Sequence, residues 1–387
     1  MKLPLKYNVK SLFVRRGNTL MTVASIALVV LVFVGVLAMA SGLSLSLRAS
    51  GNPLNVIVLR DGARSETESA FDKERQRAVQ ALEGIATDVG GQPLASAELV
   101  TLQIFQRADG KESNVSLRGL GPAGTALRPQ FRLTGGKMFE PGRGEVIVGE
   151  RLAQRFPRLR LGERVEFGRL EFHVVGVFTT GGSFDSEVWG AMEDFGNAFR
   201  REDVSSVLLR AATPEGVEAL VARVEGDQRL RLQAKPEIEY YADQTTATAG
   251  QFVALGSGLA VLMALGACFA AANTMYAHVA ARAQEIGTLR ALGFRRRGIL
   301  GAFVLEAALL GLVAGVCGAV LALPLNGMST GTTNFVTFSE LSFTLRTSPA
   351  VLLQGVALAV VTAVLGGLPP AWAAARRPIT ALLRETG

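Results

Sequence analysis

Apolar residues in this chain gather into four long runs almost free of charge, at residues 19–42, 249–277, 298–325 and 349–374. Each run holds the ~20 residues that a helix needs to cross a hydrocarbon layer ~30 Å thick. Between the first and second lies a long stretch, residues 43–245, in which short alternating segments and turn residues read as water-soluble protein. One span before this stretch and three after it predict an α-helical membrane protein with four transmembrane helices. A large α+β extracytoplasmic domain then hangs between the first two.

Finer patterning fills in the elements. Leu5, Val9, Leu12 and Phe13 at helical spacing, with Lys2, Lys6 and Lys10 on another face, predict an interfacial helix within residues 1–18. Strands are expected at 54–59, 98–106, 114–118, 145–148, 164–167, 171–178, 205–210 and 229–234, and helices at 66–82, 150–156 and 214–225. Thr213 and Pro214 start the last of these helices. Strands mixed with helices at both ends of the domain, and a β-rich middle, suggest two lobes: 43–134 with 201–245, and an inserted β-rich lobe over 135–200. No charged residue occurs from 244 to 281, which is longer than a bilayer requires and predicts an outward stalk on the second span. Gly250, Ala254 and Gly258 there, and Gly311 with Gly315 and Ala314 with Gly318 and Ala322 in the third span, offer small-residue rows for close helix contact. Residues 326–348 read as a short loop on the outer side.

Charge orients the chain. Lys2, Lys6, Lys10, Arg15 and Arg16 precede the first span, and Arg282, Arg290, Arg295, Arg296 and Arg297 lie between spans two and three. Arg376, Arg377 and Arg384 follow span four, and only Glu285 and Glu385 oppose all of these. Basic flanks face the cytoplasm, so residues 1–18, 278–297 and 375–387 should lie inside, in a multi-pass plasma (inner) membrane protein. Residues 43–244 carry 26 basic and 29 acidic residues and should lie outside. The net charge of +7 is thus an orientation signal and does not call for nucleic acid. The first apolar run exceeds the 7–15 residues of a cleaved signal, so it is expected to remain as an anchor despite Ala38-Met39-Ala40.

Candidate chemistry is sparse. His173 and His278 have no partners at ligand or triad spacing, and Cys268 and Cys317 fall within apolar spans. No G-x-x-x-x-G-K-[ST] phosphate loop occurs, so neither cofactor nor metal is expected in this chain. Glu306 is the one acid well inside a span, about 12 Å along its helix from Gly298. Such a group serves either as a coupling or proton-linked residue or as a helix–helix hydrogen bond. Between spans two and three, Ile286, Leu289 and Leu292 make an apolar stripe, with Arg282, Glu285 and Arg290 left for a partner and Gly293 to end the helix.

Arg282–Gly293 (RAQEIGTLRALG) resembles the coupling helix of the MacB/FtsX-like, or type VII, ABC transporter permeases, which share the one-plus-three layout. Further stretches resemble the family: RGNTL from Arg16, FEPGRGEVIVG from Phe139, LGERV from Leu161, HVVGV from His173 and RPITAL from Arg377. The resemblance implies that the outer domain is a porter-like lobe carrying an inserted β-rich lobe. It implies that Arg282, Gln284, Glu285, Ile286, Gly287, Leu289, Arg290, Leu292 and Gly293 contact a separate ABC ATPase, present in two copies, that binds ATP and Mg. It also implies a homo- or heterodimeric permease among membrane lipids, working by mechanotransmission on a peptide, lipid, lipoprotein or hydrophobic small molecule. Gly181–Trp189 (GGSFDSEVW) resembles a segment of permeases that work with a membrane-fusion protein and an outer-membrane channel. Two other readings stay open: an FtsX-like regulator of a cell-wall hydrolase, and a LolC/LolE-type lipoprotein-releasing permease.

Overall fold

The computed structural model describes residues 16–334 and 336–377. The expected interfacial helix and the closing residues 378–387 lie outside the described residues, apart from Arg16–Asn18, which open the first long helix. The chain divides into two units, one of residues 1–41, 251–328 and 345–387, the other of 42–250 and 329–344.

Four helices are long and apolar enough to cross a membrane: Arg16–Arg48, Glu237–Ala281, Arg296–Ala322 and Pro349–Arg376. The second is 45 residues long, about 67 Å at 1.5 Å per residue and roughly twice a hydrocarbon layer. Small residues set the packing of the first unit. A Cβ on Gly311 or Gly315 would meet the backbone of the fourth long helix at Ala359, Val360 or Val356, and one on Gly318 would meet Ala27 and Val30 of the first. The row expected on the second helix behaves differently: among the described residues nothing lies within 4 Å of a Cβ placed on Gly250 or Gly258. Gly256, off that row, is the glycine that meets Val36 of the first helix.

The second unit is built on a ten-stranded sheet. Its strands are β1 (Asn55–Arg60), β2 (Ala95–Gln106), β3 (Glu112–Leu120), β4 (Arg132–Gly136), β5 (Glu145–Gly149), β6 (Arg164–Phe167), β7 (Leu170–Thr179), β8 (Glu187–Ala191), β9 (Ser206–Arg210) and β10 (Leu232–Pro236). The order is β10-β1-β9-β2-β3-β8-β5-β7-β4, with β6 paired to β7. Two apolar clusters line it. One joins Val56, Val58, Val207, Leu209 and the helix Pro214–Gly226 through Val217, Leu220 and Val224. The other joins Val146, Val148, Phe167, Phe172 and Phe195, and also takes Leu99, Phe105 and Leu117 from β2 and β3. The twelve-residue β2 therefore serves both clusters, with Ala95 and Ala97 in the first.

Three local expectations change. The helix expected over 66–82 is only Lys73–Gln80, capped by Asp72, whose Oδ1 accepts from Arg75 N at 2.9 Å. Glu66 is instead drawn inward to meet Arg118. β4, β8 and a helix at Met192–Phe199 lie where no strand or helix is expected. Residues 326–348 are no plain loop: Ser329–Thr333 (β11) and Glu340–Thr344 (β12) pair as a hairpin that belongs to the second unit.

A buried ionic hub crosses this sheet. Arg118 donates to Glu66 (2.7 and 2.8 Å), Glu98 (2.7 Å) and Glu187 (2.7 and 3.0 Å), and Arg128 donates twice to Glu98 (2.7 and 2.8 Å). Ser206 and Trp189 donate to Glu66 and Glu187, so the carboxylates are multiply bonded. Burial by itself would raise the Glu98 carboxyl, but the guanidiniums of Arg128 and Arg118 outweigh it and hold the group below its ordinary value of 4.5. A carboxyl depressed by folding stabilises above its unfolded value and loses that contribution as pH falls through the folded one. Unfolding of the detergent-purified chain, followed from pH 7 downward, should therefore show stability declining below about pH 4.5. Glu98→Ala strands two guanidiniums and should cost about 3–5 kcal/mol at pH 7 while flattening that decline. An unchanged acid profile in the variant would count against the hub.

Candidate functional site

The segment between the second and third long helices folds as a second, short helix, Ala283–Ala291. The second long helix stops at Ala281, and Arg282 leaves helical geometry with ψ of 18°. The short helix closes on Gly293, whose φ of +93° suits a residue without Cβ. Its N–H bonds to Arg290 O, and Phe294 N bonds to Leu289 O, the paired bonds of a Schellman end. Arg295, in extended geometry, then precedes the third long helix.

Three side chains pin this short helix inside the first unit. Glu306 of the third long helix is 1% exposed, with Oε1 2.9 Å from His278 Nδ1 and Oε2 accepting from Arg282 Nη1 at 3.1 Å. Arg282 also donates through Nε to Glu285 Oε2 at 3.1 Å and lies over the Phe303 ring, 5.6 Å from its centre. At the other end, Arg290 Nη1 donates to Arg377 O at 2.7 Å and to Ala375 O at 3.4 Å. Those carbonyls close the fourth long helix, where a cation meets both unsatisfied oxygens and the negative end of the helix dipole. Ile286 completes the seat in an apolar cluster with Met275, Val279, Ile299, Phe303 and Ala371.

The expected site residues thus divide. Ile286 and Gly287 are buried, Leu289 is half-buried, and Gln284, Glu285, Leu292 and Gly293 are exposed. Leu292, 73% exposed, does not join the apolar stripe. Six positions on from Ile286 a helix has turned some 600°, which leaves Leu292 about 120° off the buried face. Arg282 and Arg290 both bond within the unit. Arg290 lies one turn from Ile286 and so shares its inward side. Glu306 takes the helix–helix bonding role. Sequence reading missed its partner His278. The available signal was that each is an isolated ionisable group in its span, both near the end that carries the short helix. The bonds to the carbonyls of the fourth helix leave no sequence trace, because any residue supplies a carbonyl. Among the described residues no group of three or more His, Cys, Asp and Glu side chains is placed to hold a metal.

Gly181–Trp189 belongs to the interior of the second unit. Phe184, Asp185, Ser186, Val188 and Trp189 are all buried, and Asp185 accepts from Thr180 N, Thr180 Oγ1 and Thr179 Oγ1.

Residues 19–227 match the family of the MacB-like periplasmic core domain, and residues 257–379 match the FtsX-like permease C-terminal family. Among similar proteins, the macrolide export ATP-binding/permease protein MacB of Agrobacterium fabrum is 27% identical over 310 residues, 74% of this chain and 46% of its own. The pyoverdine export ATP-binding/permease protein PvdT of Pseudomonas entomophila is 31% identical over 238 residues, 58% of this chain and 35% of its own. MacB of Shewanella sp. is 25% identical over 416 residues, 98% of this chain and 60% of its own. The chain spans about half the length of these relatives. The crystal structure of the periplasmic region of MacB from Actinobacillus actinomycetemcomitans covers 49% of this chain and 92% of its own, with a TM-score of 0.38 and 12% identity.

The geometry makes Glu306 the pin of the short helix. Glu306→Ala leaves His278 and Arg282 facing a void and should destabilise the purified protein by about 3–5 kcal/mol in thermal unfolding. Glu285→Ala, on the exposed face, should change stability by less than about 1 kcal/mol. Equal effects from the two substitutions would remove Glu306 from this role.

Proposed function

Because the chain belongs to the MacB/FtsX-like family of ABC transporter permeases, we propose that it is the membrane subunit of an ATP-driven exporter or extractor. The observation that carries the reading is the pinned short helix. Its exposed side, Gln284, Glu285, Thr288 and Leu292, faces away from the unit, while Arg282 and Arg290 tie its inner side to the third and fourth long helices. A force applied to that face is passed to helices rather than absorbed by a loose loop. In this reading a separate ATPase, two copies in a dimeric complex, binds ATP and Mg and supplies the force.

In this reading all four long helices cross the plasma (inner) membrane, with both termini and the short helix in the cytoplasm and residues 43–245 outside. The outer domain comprises a porter-like lobe and the inserted lobe at 135–200. The 45-residue second helix is long enough to carry motion beyond the bilayer, which supports mechanotransmission to the outer domain. The export roles in the names of MacB and PvdT support a cargo handled on the outer side: a peptide, lipid, lipoprotein or hydrophobic small molecule. A membrane-fusion protein and an outer-membrane channel would complete the path.

The test is reconstitution with the cognate ATPase in lipid discs. Glu285→Lys should abolish complex formation or reduce ATP turnover by about tenfold or more, since it reverses charge on the contacted face. Wild-type binding and turnover in that variant would refute the coupling role.

A further inference from the structure

The second unit contains a cavity of about 390 Å³ lined by Arg107, Arg151, Arg155, Gln154, Ser329 and Thr330, among others. Three guanidiniums face it and no carboxylate lines it. Three acids approach these arginines from outside the lining residues. Glu340 Oε1 lies 2.7 Å from Arg155 Nη1 and 3.8 Å from Arg107 Nη1, Asp185 Oδ2 lies 3.7 Å from Arg151 Nε, and Asp109 Oδ1 lies 3.7 Å from Arg107 Nε. Only the Arg155 contact is under 3 Å, and neither Glu340 oxygen accepts a hydrogen bond among the described residues. The Nε of Arg107 is buried and has no hydrogen-bond partner among the described residues.

The arginines are held ready. Arg151 Nη1 donates to Ser342 O at 2.9 Å, and Arg155 Nη1 donates to Ser342 Oγ at 3.0 Å, so β12 positions both. A Cβ on Gly331 would overlap the Arg155 guanidinium, so the glycine lets β11 close over it. Their side chains are only 20–26% exposed, and grouping three partly desolvated cations carries a repulsion that water screens poorly. A guanidinium presents a planar fork of donors matched to the oxygens of a carboxylate or phosphate. The volume lies within the ~300–1,000 Å³ of small-molecule sites.

The geometry points to an anion-binding site here, one that takes a small molecule through a carboxylate or phosphate group. It is independent of the coupling reading, because the cavity lies wholly within the second unit and touches no residue of the short helix.

The experiment is calorimetric titration of the full chain in detergent with citrate and, separately, inorganic phosphate, ionic strength being held constant with sodium chloride. Saturable binding of either is expected; citrate alone identifies a carboxylate site and phosphate alone a phosphate site. Arg107→Gln should weaken that binding about tenfold or more, the loss of one charge-assisted contact. Gln154→Glu places a negative charge at the lining from an exposed position that makes no side-chain hydrogen bond among the described residues, and should weaken it comparably even if the arginine variant proves unstable. Arg164→Gln, on an exposed strand outside the cavity, should leave affinity unchanged. No saturable binding of either anion up to about 10 mM, or equal affinity in wild type and Gln154→Glu, overturns the proposal.

Discussion

A carboxylate in an apolar helix bundle must find partners inside the protein, and Glu306 is the place where that demand shapes this molecule. Isolated, the charge would cost roughly 3 kcal/mol at mid-bilayer on insertion scales. His278 and Arg282 meet it from the end of the second long helix and the first residue past it. Satisfying one buried oxygen pair therefore draws the start of the short helix against the third long helix. Arg290 repeats the principle at the other end, where the need belongs to backbone oxygens ending the fourth long helix. The short helix is held by polar groups bonded within the first unit, which makes it a part of the bundle.

The second unit answers the same pressure in another way. Arg118 and Arg128 are 3% and 2% exposed, and their donors are used by Glu66, Glu98 and Glu187, which come from separate parts of the chain. Hubs of this kind add little net stability over a packed apolar core, because desolvation offsets most of the attraction. They do penalise misalignment, since losing one partner strands the rest. That suits a sheet whose long strand β2 has to serve two hydrophobic clusters at once. The arginine-lined cavity is the contrast: there three cations have a single carboxylate within 3 Å, and Ser342 keeps Arg151 and Arg155 in place.

Within the bundle, packing is decided by side-chain volume. Gly311, Gly315 and Gly318 let helices approach until backbone nearly touches backbone, whereas a Cβ on Gly250 or Gly258 would meet nothing within 4 Å among the described residues. The same spacing of small residues thus has two outcomes, and sequence spacing by itself does not tell them apart.

The amino-acid sequence alone determined the features that depend on short-range pattern. Four runs almost free of charge and of sufficient length become helices, alternation yields strands such as Arg164–Phe167, and Gly293 ends the short helix. The family resemblance was also legible, since RAQEIGTLRALG is a contiguous motif. Tertiary structure decided everything that joins distant residues. Glu66 left its expected helix because Arg118, 52 positions away, claims it; Leu292 left the buried stripe because a helix rotates by 100° per residue; and residues 329–344 became part of the second unit through Arg151, Arg155 and Ser342. Local periodicity records which face a residue prefers, while the partner of a charge is chosen by a fold that brings remote atoms within 3 Å.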